Sequence, residues 1–473
     1  MTLARVAVDL GAESCRVSLL RWNEGTPRIT LVHRIPNGPV AHGDHLRWDL
    51  SAIWNGVEEG LRRCASIAVE GIASIAVDGW ATDYVRLNQD GLATADPFCY
   101  RDLRNIAAEQ AVHERISLHR LYQLTGLQRL RFNTVYQLYA DQMAGIPPAV
   151  PWLNLPEYLL SFLGGRRVAE YTMATHTGLV SVTTGNWCEE VFAAVGLDPA
   201  AAPELVAPGT DVGILKGPLA DLPAFRGTRL IAPACHDTAS AIAGIPETTD
   251  DCAYISSGTW SLVGALLDRP CNTEQAFEKD FTNQGAVGGQ VSFHKNVNGM
   301  WLLRQSIEHW NQHGNESFTV PDLIARADGL PLPDHLVEVD QEDLMLPGNV
   351  PARINEQRRR AGFAPLDEGP GNAPAFTNLI LHSLAARYAE VFRDLTEVTG
   401  KQLRQLYIVG GGSRNMLLNR LTRQATGLDV HCGYVESATI GNFAIQLAAG
   451  EKGNPGKHEI AKWAVTLENA LET

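Results

Sequence analysis

One short hairpin pattern occurs twice in this chain, once at the start and once past the middle. The first copy reads Val6-Ala7-Val8-Asp9-Leu10-Gly11-Ala12-Glu13-Ser14-Cys15-Arg16-Val17-Ser18-Leu19-Leu20. The second reads Ala253-Tyr254-Ile255-Ser256-Ser257-Gly258-Thr259-Trp260-Ser261-Leu262-Val263-Gly264. Each is an apolar β-run, a small turn with glycine and hydroxyl residues, and a second β-run. Such a turn exposes backbone N–H groups that no strand partner claims, and converging N–H groups make a concave anion site. A duplicated hairpin constrains the chain to two related domains, with a polyphosphate, and hence a nucleotide, held between the two turns.

The length of 473 residues is too great for one compact core and fits two domains. The boundary is expected within Gly244 to Asp251, a polar stretch with Gly and Pro, giving domains 1–246 and 247–473. A net charge of −14 argues against a nucleic-acid partner and against anionic membranes. The eight cysteines are scattered, with no CxxC pair and no zinc-site spacing, so a reduced, cytoplasmic chain is expected. Asp9 and Glu13 interrupt the stretch where a signal peptide needs apolar residues, and no apolar run reaches membrane-span length.

The pattern of elements is α/β. Residues 50–64 carry Ile53, Val57 and Leu61 four apart, a helical spacing, and lead into the apolar run Ile72–Val77, which ends at Asp78-Gly79. Prolines 147, 148, 151 and 156 predict a loop over 147–156, followed by a helix from Glu157 to Gly164. Leu230–Cys235 reads as a strand that runs through His236-Asp237-Thr238 into an alanine-rich helix, 239–243. A polar stretch at 355–374 predicts an exposed loop before an amphipathic helix, 376–399, closed by Gly400. Leu406–Val409 is a buried strand that ends in Gly410-Gly411-Gly412-Ser413 and opens a helix; the last clear helix is 440–449.

Asp9 sits at the end of the first strand, where a carboxylate holds hydrated Mg²⁺ as readily as it starts a turn. Ser256, Ser257 and Thr259 around Gly258 favour phosphate contact. Glycines 410–412 let a flat base or ribose rest against the backbone, or simply make a tight strand–helix turn. Asp237, after a buried strand and before a helix, is a candidate general base for an alcohol acceptor; Asp is equally a preferred helix N-cap. His236 is a substrate donor or a packing histidine. Asp78, Trp80 and Asp83 at a strand end suit a sugar pocket, in which acceptors fix hydroxyls and the ring covers C–H faces. Tyr100-Arg101-Asp102 with Arg104 is either a solvated charge cluster or that pocket's far wall. Gly453-Asn454-Pro455-Gly456-Lys457-His458 echoes a P-loop but is too short, lacks Ser or Thr after Lys457 and reads as a solvated loop. The glycine spacing of a dinucleotide fold is absent, so a Rossmann oxidoreductase is set aside.

Taken together the segments resemble the FGGY carbohydrate kinases. The match runs in order through Ala7–Ala12, Phe132–Leu138, Leu155–Tyr158, Glu170–Thr175, His236–Ala241, Ser256–Leu262, Lys295–Leu303, Gly410–Ser413 and Ala438–Leu447. The HDTAS, SSGTWSL and KN-x-x-G-x-WLL runs point to the rhamnulokinase branch. The resemblance implies two actin-like ATPase (ribonuclease H-like) domains with an interdomain cleft, the first binding sugar and carrying the base, the second binding nucleotide. It implies transfer of the ATP γ-phosphoryl to O1 of L-rhamnulose, a small-molecule ketose, by a monomer or homodimer. Asp237 falls on the family's base. Ala12, Glu13, Ser14, Cys15, Arg16, Thr259, Asn296, Arg304 and Gly411 fall on its nucleotide contacts. His236, Asp237 and Thr238 fall on its sugar contacts, as does the glycine that Ala81 replaces, while Trp80 and Asp83 are expected at the sugar, and Asp9 at Mg²⁺ through water, from their places at strand ends.

Three positions depart from the family pattern. Cys15 and Ala81 stand where glycines are usual, and Arg304 stands where a glutamine is usual. The Ala81 methyl narrows the sugar pocket and keeps other ketoses open: L-fuculose, L-xylulose or D-ribulose. A non-catalytic, actin-like ATP-dependent switch is the rival from another class.

Overall fold

The apolar run at the start of the chain forms strand β1 (Ala4–Leu10), buried along nearly all its length. It pairs antiparallel with β2 (Ser14–Asn23), which pairs with β3 (Thr26–Pro36), and parallel with β4 (Ile72–Gly79). Strands β5 (Thr210–Ile214) and β6 (Arg229–Ala232) complete a six-stranded sheet in the order β5-β6-β4-β1-β2-β3. Buried parallel strands read as continuous apolar runs, which is why Val6-Ala7-Val8 and Ile75-Ala76-Val77 show no alternation.

This computed structural model describes residues 2–246, 249–313, 316–453, 455–468 and 470. The chain divides into two compact units that interleave in sequence: Met1–Thr248 with Leu266–Phe293 and Ser437–Thr473, and Thr249–Ala265 with His294–Glu436. Residues 247 and 248, inside the expected boundary, lie outside the described residues.

In the first unit the helix Leu50–Ile67 starts at Asp49, whose carboxylate accepts the Ala52 N–H. It lies close on the sheet because Gly56 and Gly60 face Ile35 and Val17; a Cβ at either would come within 2.8 Å of those side chains. The helix Ser437–Lys452 also packs on this sheet: Gln446 Nε2 donates to Val6 O (3.0 Å) and Gln446 Oε1 accepts from Ser74 Oγ (2.6 Å). It crosses the helix Asp237–Ala243 at backbone distance, and a Cβ on Gly441 would fall 1.7 Å from Ser240 O.

The second unit repeats the hairpin. Strands β7 (Cys252–Ser257) and β8 (Trp260–Leu267) are antiparallel, and β9 (Val291–Asn298), β10 (Gln405–Val409) and β11 (Asp429–Cys432) extend the order to β9-β8-β7-β10-β11, with the short strand Thr282–Gly285 at the edge beside β9. The helix Ala373–Thr399 ends, as its pattern predicts, with Gly400 in the left-handed conformation (φ +70°).

Three expected loops are partly regular. Residues 152–154 form a short strand paired to Tyr84–Arg86, and the next helix begins at Leu155 with Pro156 in its first turn. The polar stretch 355–374 begins inside the helix Val350–Arg360, where Asn355, Gln357 and Arg358 are buried. Arg358 is tied to Asp334 and to Ala364 O, so polarity there reflects internal pairing rather than exposure. The P-loop echo is followed by a helix, Lys457–Leu467, which the sequence reading missed. Its Gly456 N–H is capped by Glu459; Asn454 lies outside the described residues.

Candidate active site

The carboxyl ends of β1, β4 and β6 converge, the usual place for ligands on an open α/β sheet. The parallel register sets Asp9 opposite Asp78, and Gly79 bridges to His236 just beyond β6. Register on strands thereby gathers three carboxylates, Asp9, Asp78 and Asp237, from distant parts of the chain.

Asp9 is 5 % exposed and accepts from Arg16 Nη1 at 2.9 Å, its cross-strand partner in the hairpin. Asp78 is fully buried; its Oδ2 accepts from Asn442, and its Oδ1 has no hydrogen-bond partner among the described residues. Burial, and then the charges of Asp9 and Asp237, hold the Asp78 carboxyl well above the usual carboxylate range. Asp237 keeps a third of its side chain open. The protein packed around it, and then Asp9, push its pKa up to about 7. It does not cap its helix: His236 occupies the N-cap position, and Asp237 Oδ1 accepts from the Thr238 N–H at 2.6 Å. The N-cap explanation for this aspartate therefore falls away. Asp9 offers a single hard carboxylate at this corner, and one carboxylate with water suits a hydrated Mg²⁺, which keeps most of its own water.

Around the first turn, Ala12, Ser14 and Arg16 are half-buried, Glu13 is exposed and Cys15 is in the core. Burial, then Asp9, push the Cys15 thiol up to about 12, so it remains an inert thiol.

Trp80 and Asp83 follow β4. Asp83 Oδ2 accepts from the indole N–H groups of Trp48 (2.6 Å) and Trp80 (3.0 Å) and from Tyr100 N, and Oδ1 accepts from Gln137. Burial pushes Asp83 up to about 6. Its present work is to fix the Trp80 ring. Between half-buried Ala81 and Asp83, Thr82 adopts φ +77°, a left-handed backbone that is strained for a β-branched residue. Its carbonyl is held by Thr134 Oγ1 (2.8 Å) and Gln137 Nε2 (3.3 Å). No turn residue marks Thr82 in the sequence, which is why it went unnoticed. The cluster around Tyr100 is not solvated: Asp102 accepts the Leu46 N–H, and Arg104 pairs with Asp141 over the Phe98 ring.

In the second unit the hairpin turn meets two further glycine positions. The Gly258 and Thr259 carbonyls accept from the N–H groups of Met300 (3.0 Å) and Trp301 (3.3 Å), so the helix Trp301–His313 starts against the turn. Gly299 permits this approach, since a Cβ there would lie 2.8 Å from both carbonyl oxygens. A Cβ on Gly412 would fall 1.9 Å from Ser257 Oγ, whereas Gly411 faces open space. Thr259, Asn296 and Arg304 are half-buried on β8's entry, β9 and this helix.

Profiles of the FGGY family of carbohydrate kinases match the chain in two parts, the N-terminal domain over residues 4–244 and the C-terminal domain over 253–450. The chain belongs to this family. It is an ATP-dependent sugar kinase with the two-domain actin-like ATPase fold, which removes the non-catalytic switch from consideration. This FGGY kinase is 36 % identical over 449 residues to a rhamnulokinase of Bacteroides thetaiotaomicron, covering 94 % of this chain and 90 % of that one. It is 34 % identical over 450 residues to one of Enterococcus faecalis, covering 94 % and 89 %. In fold it is similar to a ligand-bound xylulose kinase of Lactobacillus acidophilus, with a TM-score of 0.77, 16 % identity and coverage of 99 % and 97 %. Among the described residues no helix is long and apolar enough to cross a membrane.

Proposed function

We propose that this kinase transfers the γ-phosphoryl of ATP to O1 of L-rhamnulose, giving ADP and L-rhamnulose 1-phosphate. The observation that carries the reading is Asp237: a partly open carboxylate with a pKa near 7, at the convergence of three strand ends. A base with that affinity is ionised at neutral pH and still takes a proton in the transition state. As the sugar oxygen bonds to the γ-phosphorus and the bond to the ADP oxygen breaks, the hydroxyl proton passes to Asp237. Trp80, Ala81, His236 and Thr238 would contact the sugar, with Asp83 fixing the indole. Backbone N–H groups from Ala12 to Arg16, with Thr259, Asn296, Arg304 and Gly411, would contact the nucleotide, whose base suits the open face of Gly411. Asp9 would hold Mg²⁺ through water; when bound, the cation supplies positive charge against the phosphoryl oxygens.

On this reading the sugar-binding, base-carrying domain is residues 1–246, to which Leu266–Phe293 and Ser437–Thr473 return, and the rest of 247–473 is the nucleotide-binding domain. All eight cysteines are free thiols, which suits the reducing cytoplasm. The relatives at 34–36 % identity support L-rhamnulose as the acceptor. The Ala81 methyl favours keeping a second reading, another ketose such as L-fuculose, L-xylulose or D-ribulose. A ketose panel in a coupled ADP-release assay decides between them. The proposal requires kcat/KM to be highest for L-rhamnulose, and a higher value for any other ketose overturns it.

A further inference from the structure

Behind His236, the neighbour of Asp237, lie two buried groups that the reaction above does not use, His176 and Gln284. Gln284, on the strand Thr282–Gly285, places its amide Nε2 3.0 Å from His176 Nδ1. His176 Nε2 lies 2.9 Å from His236 Nδ1, and His236 Nε2 lies 3.3 Å from Asp237 Oδ1. Gln284, His176 and His236 are each less than 10 % exposed.

The chemistry of the first group orders the rest. An amide nitrogen only donates, so His176 Nδ1 accepts and the His176 proton sits on Nε2. That N–H points at His236 Nδ1, which must accept, so the His236 proton sits on Nε2 and faces the carboxylate. We propose that Gln284 and His176 are positioning residues that lock His236 in the tautomer whose Nε2–H faces Asp237, keeping the base ionised and oriented. With the amide oxygen turned to His176 instead, every proton on the string reverses, and the Nε2 lone pair of His236 faces the carboxylate, which favours its protonated form. The polarity of one buried amide thus selects between the base-ready and the protonated state.

The inference rests on Asp237 as the base and is tested through its pH dependence. The groups that face Asp237 are Asp9 and Arg16 from the first hairpin, Asp78 from β4, Thr238 beside it and His236; Glu170 holds the preceding Cys235 N–H at 2.8 Å. Removing the ordered N–H favours the protonated carboxyl, so the acid limb of the kcat profile moves to higher pH. For His176→Leu and Gln284→Leu we expect kcat to fall about tenfold, with the acid limb raised by at least about half a unit and KM for ATP unchanged. His176→Gln, whose amide N–H replaces Nε2–H, should recover most of kcat and the original limb. It also serves if the leucine variant at 176 fails to fold. Gln284→Glu, which offers only acceptors, should raise the limb more than Gln284→Leu does. Folded leucine variants with the wild-type pH profile overturn the inference, as does a loss that His176→Gln shares in full. Asp237→Asn separates the two readings: if it is active, the base assignment itself fails. If it is inactive while the leucine variants behave as wild type, only the relay fails.

Discussion

The two hairpin turns share a plan and differ in charge. In the first, the last cross-strand pair before the turn is Asp9 with Arg16; in the second, it is Ser257 with Ser261. The first turn has a long connection, with Gly11 so close to Ser14 O that a Cβ would lie 2.4 Å away. The second is short, and a Cβ on Gly258 would meet only Trp260 O, at 3.7 Å. One copy therefore builds an ionised corner next to Asp78 and Asp237, while the other builds a neutral corner of hydroxyls and glycines. The same hairpin plan occurs twice, and side-chain chemistry gives one copy carboxylates and the other hydroxyls and glycines, the difference on which the proposed division into base and nucleotide sides rests.

The largest effect should come from the charged side. Asp237→Asn is expected to lose at least ~10²-fold in kcat, the order of a lost general base, while ATP still binds by calorimetry. Activity within a few-fold of wild type would break the assignment of acid–base work to the first unit. Next comes the neutral side. Gly412→Ala places a methyl against Ser257 and should cost about 1–3 kcal/mol of stability, seen as a lower denaturation midpoint. Gly411→Ala meets nothing in the fold, so its midpoint should be unchanged while the KM for ATP rises about tenfold. Equal effects of the two substitutions on both measurements would erase the distinction between a packed and a ligand-facing glycine.

A smaller effect tests how the charged corner is coupled. The acid limb of kcat/KM should lie near pH 7, since Asp237 must be ionised to act. Asp9→Asn removes a negative neighbour and should move that limb down by about one unit, on top of any loss in rate. An upward shift would contradict the charge arrangement. The smallest effect lies behind the site. Burial, then Glu170, push Glu157 up to about 8, and burial pushes Glu170 up to about 7. Both hold protons more tightly folded than unfolded, so their contribution falls as pH rises from about 4.5 through 7–8. Glu157→Gln should flatten the decline in Tm between pH 5.5 and pH 8 by a few degrees.

The elements that carry the site were legible because their signals are local. Apolar runs ending in Asp9, Asp78 and Asp237, and the glycines at 258 and 410–412, announce themselves within a few residues. What escaped is what depends on distance. Asn442 and Gln446 sit on a helix that is apolar nearly all round, and no periodicity says that its two amides reach Asp78 and Val6. His176 and Gln284 are 60 and 108 residues from their partners along the string. The helix 457–467 was hidden by the glycine and proline before it, and Arg358 looked solvent-facing because charge was taken for exposure.

The return of Ser437–Lys452 to the first sheet gives the molecule an order in time. More than nine-tenths of the given residues are synthesised before Asn442 and Gln446, which close over β1 and β4. Until then the acidic corner is missing the amide that satisfies Asp78. A nascent chain interrupted in the second unit would carry Asp9, Asp78 and Asp237 on their strands and still lack the Asn442 amide that Asp78 accepts from.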